Sequence, residues 1–110
     1  MSLHVHSLSI SAISSFKPAL LAIRRHDRNL ASQLRNALTS VALNIGEAEY
    51  SDPGTMRTRL HSAAGSANEV RSAIAVAIAW GYVKNHEVAE GLDFIDRTLA
   101  MLFRLIHGRS

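Results

Sequence analysis

Apolar residues recur along this chain three and four positions apart, the spacing that lays one apolar stripe along an α-helix. The first set is Ile13, Phe16, Leu20 and Ile23, with Leu8 and Ile10 upstream. Pro18 interrupts it, because its ring removes one N–H and crowds the carbonyl of Ser14. The helix either begins near Ser15, with Pro18 in its first turn, or begins near Leu8 and bends; the second is favoured here. His26-Asp27-Arg28-Asn29 then breaks the stripe, with Asp27 or Asn29 placed to cap the second helix. A second set runs through Leu30, Leu34, Ala37, Leu38, Val41, Ile45 and Ala48. Ser51-Asp52-Pro53-Gly54 is the clearest punctuation: Asp52 can cap a helix whose first position is Pro53, where a missing N–H costs nothing.

The third set, Met56, Leu60, Ala63, Ala67, Val70, Ile74 and Ala77, alternates fours and threes and comes close to a heptad seam. Gly81 is placed to end it with a left-handed cap. Asn85 can cap a fourth helix carrying Val88, Leu92, Ile95, Leu99, Leu102 and Ile106, which Gly108 closes. No stretch alternates with period two for long enough to form a strand. The expected helices are 8–26, 29–49, 53–80 and 86–107, each roughly 30 Å long with short polar connections. Short connections make consecutive helices antiparallel, so the predicted fold is all-α, an antiparallel up-down four-helix bundle forming a single domain over 1–110. Gly65, in the small-residue run Ala63 to Ala67, costs about 1 kcal/mol in mid-helix relative to Ala. Close approach of helix two is the expected compensation.

Composition agrees with this reading. Hydrophobic residues make up 47% of the chain but aromatics only 5%, a balance suited to helix packing. The chain has no cysteine, which excludes disulfides and thiolate metal sites and fits a reducing, cytoplasmic location. No segment approaches the roughly 18 apolar residues of a membrane span, and the first residues do not read as a signal peptide. Net charge is +3, with five cations against three anions in the first fifty residues and seven against six in the rest. That excess permits contact with nucleic acid without demanding it.

A carboxylate-bridged metal pair in a bundle wants Glu-x-x-His on facing helices, and no glutamate here has a histidine three residues later. His86-Glu87-Val88-Ala89-Glu90 lacks the second histidine of a zinc-protease helix. Ser14-Ser15-Phe16-Lys17 fits a bare Ser-x-x-Lys pattern without either companion motif. Neither catalysis nor a cofactor is expected, and His4, His6 and His107 are expected in solvent.

Three features remain. Arg24, Arg25 and Arg28, joined by Arg35, form the best candidate for phosphate contact; the alternative is a solvated helix end, where cations favour the dipole. A polar stripe comprises Ser40, Asn44 and Glu47 on helix two, with Ser66, Glu69 and Arg57 as facing partners. Asn44 and Glu47 flank the core residue Ile45, so at least partial burial is expected, and buried polar groups need partners. Finally, helix four carries a second apolar set, Phe94, Met101, Phe103 and Leu105. A stripe this wide marks either the most buried helix of the bundle or a subunit interface.

Asp27-Arg28-Asn29-Leu30-Ala31-Ser32-Gln33-Leu34-Arg35-Asn36-Ala37, Ser40-Val41-Ala42-Leu43-Asn44-Ile45-Gly46-Glu47 and Ala64-Gly65-Ser66-Ala67-Asn68-Glu69 together resemble the four-helix bundle protein family. Its members include proteins encoded in intervening sequences of large-subunit ribosomal RNA genes, and the accessory protein of diversity-generating retroelements is a relative. The likeness runs from about Ile13 to Leu105; Ala48 stands where the family usually has Gly, and the loop Ser51 to Gly54 is this chain's own. The resemblance implies a ring-like homopentamer with no known catalysis. It implies a basic surface, here Arg24, Arg25, Arg28 and Arg35, contacting RNA, DNA or a nucleic-acid-bound protein. It also implies that Ser40, Asn44, Glu47, Ser66 and Glu69 form an internal polar network. The expected role is an oligomeric interaction module, with a protein–protein scaffold that binds no nucleic acid as the alternative.

Overall fold

The computed structural model describes residues 3–108, so the first two and last two positions of the expected domain lie outside the described residues. Four helices succeed one another: α1, Leu3–His26; α2, Arg28–Ala48; α3, Pro53–Ala79; and α4, Asn85–His107. α1 packs on α2 and α4, and α3 packs on the same two, so the helices occupy four corners in chain order. The result is an all-α, up-down four-helix bundle measuring 43 × 22 × 19 Å.

The core tracks the stripes. Val5, Leu8, Ala12, Phe16, Ala19 and Ile23 of α1 are buried, facing Leu34, Leu38, Val41 and Ile45 of α2, Val70 and Ile74 of α3, and Ile95 and Leu102 of α4. Small side chains recur in it, with Ala63, Ala67 and Ala77 completely buried on α3, which lets helices approach closely.

α1 departs from the sequence reading at its start. It begins at Leu3, well before Leu8, and runs without interruption through Pro18, so a start near Ser15 is corrected. The first turns contain His4, His6, Ser7 and Ser9, which dilute the apolar signal. Val5 and Leu8 are nevertheless buried, and the Ser9 hydroxyl donates to the His6 carbonyl at 2.6 Å. Pro18 and Ser14 both face solvent, where water can take up the carbonyl the proline leaves unbonded. His6, expected in solvent, is half-buried, its ring beside Gly46.

The caps explain most boundaries. The Asp27 carboxylate accepts from the Leu30 N–H at 2.9 Å and starts α2. Asp52 does the same for α3, with Pro53 in the first turn. Gly81 adopts φ 78° and closes α3 in a Schellman arrangement: its N–H donates to Ile78 and that of Tyr82 to Ala77, both at 2.9 Å. At α4 the capping position belongs to Lys84, one residue before the expected Asn85, because the Glu87 carboxylate reaches back to the Lys84 N–H at 2.7 Å.

Asp52 makes one boundary sensitive to acid. The Thr55 backbone N–H, and then the Thr55 hydroxyl, donate to its carboxylate and hold its pKa below the ordinary value near 3.8. A depressed folded-state pKa supplies stability that is complete above the unfolded value and fades as pH falls through the folded one. Thermal melts of the wild type and Asp52→Ala are expected to differ by a constant gap above about pH 5, and the gap is expected to close progressively below about pH 4.

Candidate nucleic-acid interface

The end of α1 and the start of α2 bring the expected basic residues to one place. A cleft of 450 Å³ between these helices is lined by Leu20, Leu21, Arg24, Arg28, Ala31, Ser32 and Arg35. A smaller depression beside it joins Arg25 to Leu21, Arg24 and Arg28. Farther along the same seam a recess of 320 Å³, sharing Leu20 and Arg35 with the cleft, adds Lys17, Ile13, Phe16, Leu38 and Thr39. Helix geometry accounts for the grouping: Arg24, Arg28 and Arg35 fall on the flanks of stripes whose centres, Ile23 and Leu34, are buried.

The electrostatics of this seam differ from those of the opposite one. Arg24, Arg25, Arg28 and Arg35 are all exposed, and among the described residues no carboxylate pairs with any of them. Asp27, the acid nearest in sequence, is occupied in capping α2. Across the bundle, Arg71 of α3 pairs with Asp96 of α4 at 3.6 Å, and Arg97 with Asp93 at 3.6 Å. One seam thus presents unneutralised cations over an apolar floor, while on the other Arg71 and Arg97 each face a carboxylate. A concave strip of unpaired guanidinium groups concentrates an anionic partner and can donate several hydrogen bonds to phosphate oxygens.

The polar stripe lies between α2 and α3. Ser66 Oγ donates to Ser40 Oγ at 2.9 Å, and the Asn44 amide donates to Ser40 Oγ at 3.0 Å and to the Ser40 carbonyl at 2.9 Å. Arg59 Nη1 reaches Asn44 Oδ1 at 3.4 Å and Glu47 Oε1 at 3.2 Å. Ser40, Asn44 and Ser66 are half-buried, but Glu47 is exposed, and Glu69 is exposed and takes no part. Arg57, suggested as a partner, instead donates to the Ile106 carbonyl at 2.7 Å and ties α3 to α4. Ser40 is the hub, holding the donors of both neighbours, which suits it to fixing the register of α2 on α3. No buried polar side-chain atom among the described residues lacks a hydrogen-bond partner.

The second apolar set of α4 divides. Phe94 and Met101 are half-buried and pack against the core, with the Arg97 guanidinium 5.8 Å from the Phe94 ring centre. Phe103 is 63% exposed, its ring 4.5 Å from that of His107, and Leu105 is also exposed. Ser14 and Lys17 of the Ser-x-x-Lys pattern both lie in solvent. No cluster of metal-binding side chains occurs among the described residues, and no helix is long and apolar enough to cross a membrane.

The model of the 23S rRNA-intervening sequence protein family matches residues 12–104. The chain belongs to this family. The matched range spans the Arg24–Arg35 cleft and the Ser40–Ser66 network. Among solved structures, a protein of unknown function from the S23 ribosomal protein family of Bacteroides thetaiotaomicron is similar over 94% of this chain and 98% of its own, with a TM-score of 0.84. At 19% identity that likeness speaks for the fold. No curated protein matches the chain.

In this family member, sequence reasoning missed one surface feature. At the bundle end that carries Arg24, Arg25 and Arg28, the His26 and Tyr82 rings stack with centres 4.9 Å apart and planes 1° from parallel. Trp80 continues the stack, 6.4 Å from Tyr82 and inclined by 17°. The only signal in the sequence is Trp80-Gly81-Tyr82: a glycine closing α3 with an aromatic residue on each side.

Proposed function

We propose that this protein is a non-catalytic, oligomeric helical module that contacts nucleic acid through the α1–α2 seam. The observation that carries the reading is the cleft itself, in which Arg24, Arg28 and Arg35 converge with no carboxylate among the described residues to neutralise them. Such a strip costs self-repulsion that a polyanion relieves, and phosphate contact needs only positive charge and donors in a row. The name of the family, which ties it to 23S rRNA intervening sequences, makes structured RNA the first partner to test.

Assembly is part of the proposal. Phe103 and Leu105 place apolar surface outside the bundle on α4, and a second copy of the chain is its natural cover, in line with the ring that the family resemblance implies. A protein–protein scaffold that leaves nucleic acid alone is the competing reading, favoured only by that surface.

An electrophoretic shift assay with a structured RNA, repeated across a salt series, separates the two. The proposal expects a retarded species at low salt that is lost as salt rises. Absence of any shift at low salt rejects it in favour of the scaffold.

A further inference from the structure

The stacked rings at the cationic end of the bundle take no part in lining the α1–α2 cleft. Trp80 is the C-cap residue of α3 and is 69% exposed, an unusual investment for the chain's only tryptophan. Its orientation is fixed by structure rather than left free. Gly81, at φ 78°, turns the chain so that Tyr82 comes back beside Trp80, and the Tyr82 N–H is bonded to Ala77. His26 stacks on Tyr82 from the end of α1, joining the α3–α4 turn to the helix that carries Arg24 and Arg25. Three near-parallel rings are therefore held together, with much of the largest one open to solvent.

The surrounding charge says what would lie on it. Arg24, Arg25 and His26 end α1, Arg28 opens α2, and Lys84 comes just after the turn, all five exposed. Successive helical residues are about 100° apart, so Arg25 lies between the side of α1 bearing Arg24 and the side bearing His26. A chain with phosphates in the cleft has a cationic path by way of Arg25 toward the rings. A flat, rigid π-surface beside such a path is the arrangement that captures an unpaired base: guanidinium groups take the phosphates, and aromatic faces take the bases whatever their sequence. A duplex keeps its bases stacked on one another and offers the rings nothing.

We infer that the Trp80–Tyr82–His26 stack, at the end of the arginine cleft, is a platform for an unpaired nucleobase, so that the preferred ligand is a single strand or a single-stranded extension rather than a blunt duplex. This inference rests on the nucleic-acid reading of the cleft and narrows it. RNA and DNA share the required chemistry, and the test separates them.

The test uses the full chain, and the single tryptophan makes its fluorescence a reporter of the site. The protein is titrated at low salt with a 12-nucleotide adenine-rich RNA, the DNA of the same sequence, and a blunt duplex of comparable charge. Tryptophan emission and the anisotropy of end-labelled oligonucleotides are read in parallel. Quenching of Trp80 by one or both single strands, and not by the duplex, is expected, and whichever strand quenches more strongly identifies the preferred sugar. Trp80→Ala is expected to weaken single-strand affinity by roughly tenfold, to leave duplex affinity unchanged, and to be substantially rescued by Trp80→Phe. Thermal melts of both variants verify that the bundle is intact. Single-strand binding without quenching and insensitive to Trp80→Ala overturns the platform while leaving the cleft in place. So does quenching of equal depth by the duplex. Absence of binding by all three ligands overturns the cleft reading, and the platform with it.

Discussion

Replacing Arg24, Arg28 and Arg35 together with Ala is expected to lower affinity for structured RNA by on the order of 10²–10³-fold at about 0.1 M salt. The estimate comes from counterion release. Each phosphate neutralised contributes about 0.7–0.9 to the slope of log affinity against log salt, and so a little under one decade at that concentration. Three arginines each holding one phosphate lose between two and three decades together, and the slope itself is expected to fall by about 2–3. The fold should hardly notice, because all three side chains are exposed and none is in an ion pair among the described residues. The matched control is Arg71, Arg97 and Arg104 changed to Ala, which removes the same charge from α3 and α4. Exposed pairs such as Arg71–Asp96 contribute little to stability, so this variant also folds, and its affinity is expected to fall far less. Filter binding or anisotropy across a salt series measures both quantities. Equal losses in the two variants would mean that net charge, and not the cleft, governs association.

Two glycines in mid-helix are expected to respond to alanine in opposite directions. A Cβ at Gly91 would stand 2.6 Å from two ring carbons of Phe16. Phe16 is 1% exposed and belongs to the core, so it has nowhere to retreat, and α1 and α4 must separate locally. Overpacking of this kind costs typically 1–3 kcal/mol, enough to outweigh the roughly 1 kcal/mol that alanine usually adds in a helix. At Gly65 nothing lies within 4 Å of the added carbon, so Gly65→Ala is expected to stabilise by roughly 0.5–1 kcal/mol. The melting temperature is expected to fall for Gly91→Ala and to rise for Gly65→Ala by a few degrees each, at about 4 °C per kcal/mol for a domain of this size. Calorimetry or thermal circular dichroism reads both. A stabilised Gly91→Ala would show that the α1–α4 contact is looser than the structure has it.

These glycines also show where sequence reading stops. Gly65 stands out in the sequence because it interrupts a strong helical run, and close approach of α2 is the expected reason; the structure corrects this, since Gly65 is exposed with open space around it. Gly91 does not stand out, because the ring that excludes its Cβ belongs to α1, at the far end of the chain. Local pattern reports which face of a helix is apolar but not which atom of another helix meets it. The four helices themselves are legible because a stripe repeated over five or six turns averages out local noise, and Asp27, Asp52-Pro53 and Gly81 mark boundaries by mechanisms confined to a few residues. The start of α1 is not, because its first turns mix histidines and serines with Val5 and Leu8.

The site divides the same way. Arg28 and Arg35 can be grouped from sequence because a seven-residue step keeps them near one face of α2, and Arg24 joins them because the one-residue break at Asp27 leaves the last turn of α1 beside the first turn of α2. Ser40, Asn44 and Ser66 are likewise brought together, one turn apart on α2 and opposite each other across the α2–α3 contact. Glu69 and Arg57 do not join them, because one helical residue is about a quarter-turn and each lies off the facing line; Arg59 takes the expected place of Arg57. The ring stack requires a turn, a cap and the end of a distant helix to coincide, and no periodicity carries that information.

The most direct test of the central claim is a nuclear magnetic resonance titration that tracks the arginine Nε–Hε signals as a structured RNA is added. Contact through the α1–α2 seam predicts that Arg24, Arg28 and Arg35 shift and broaden first, while Arg71, Arg97 and Arg104 stay in place. Perturbation centred on the α3–α4 arginines, or none at saturating RNA, would contradict it.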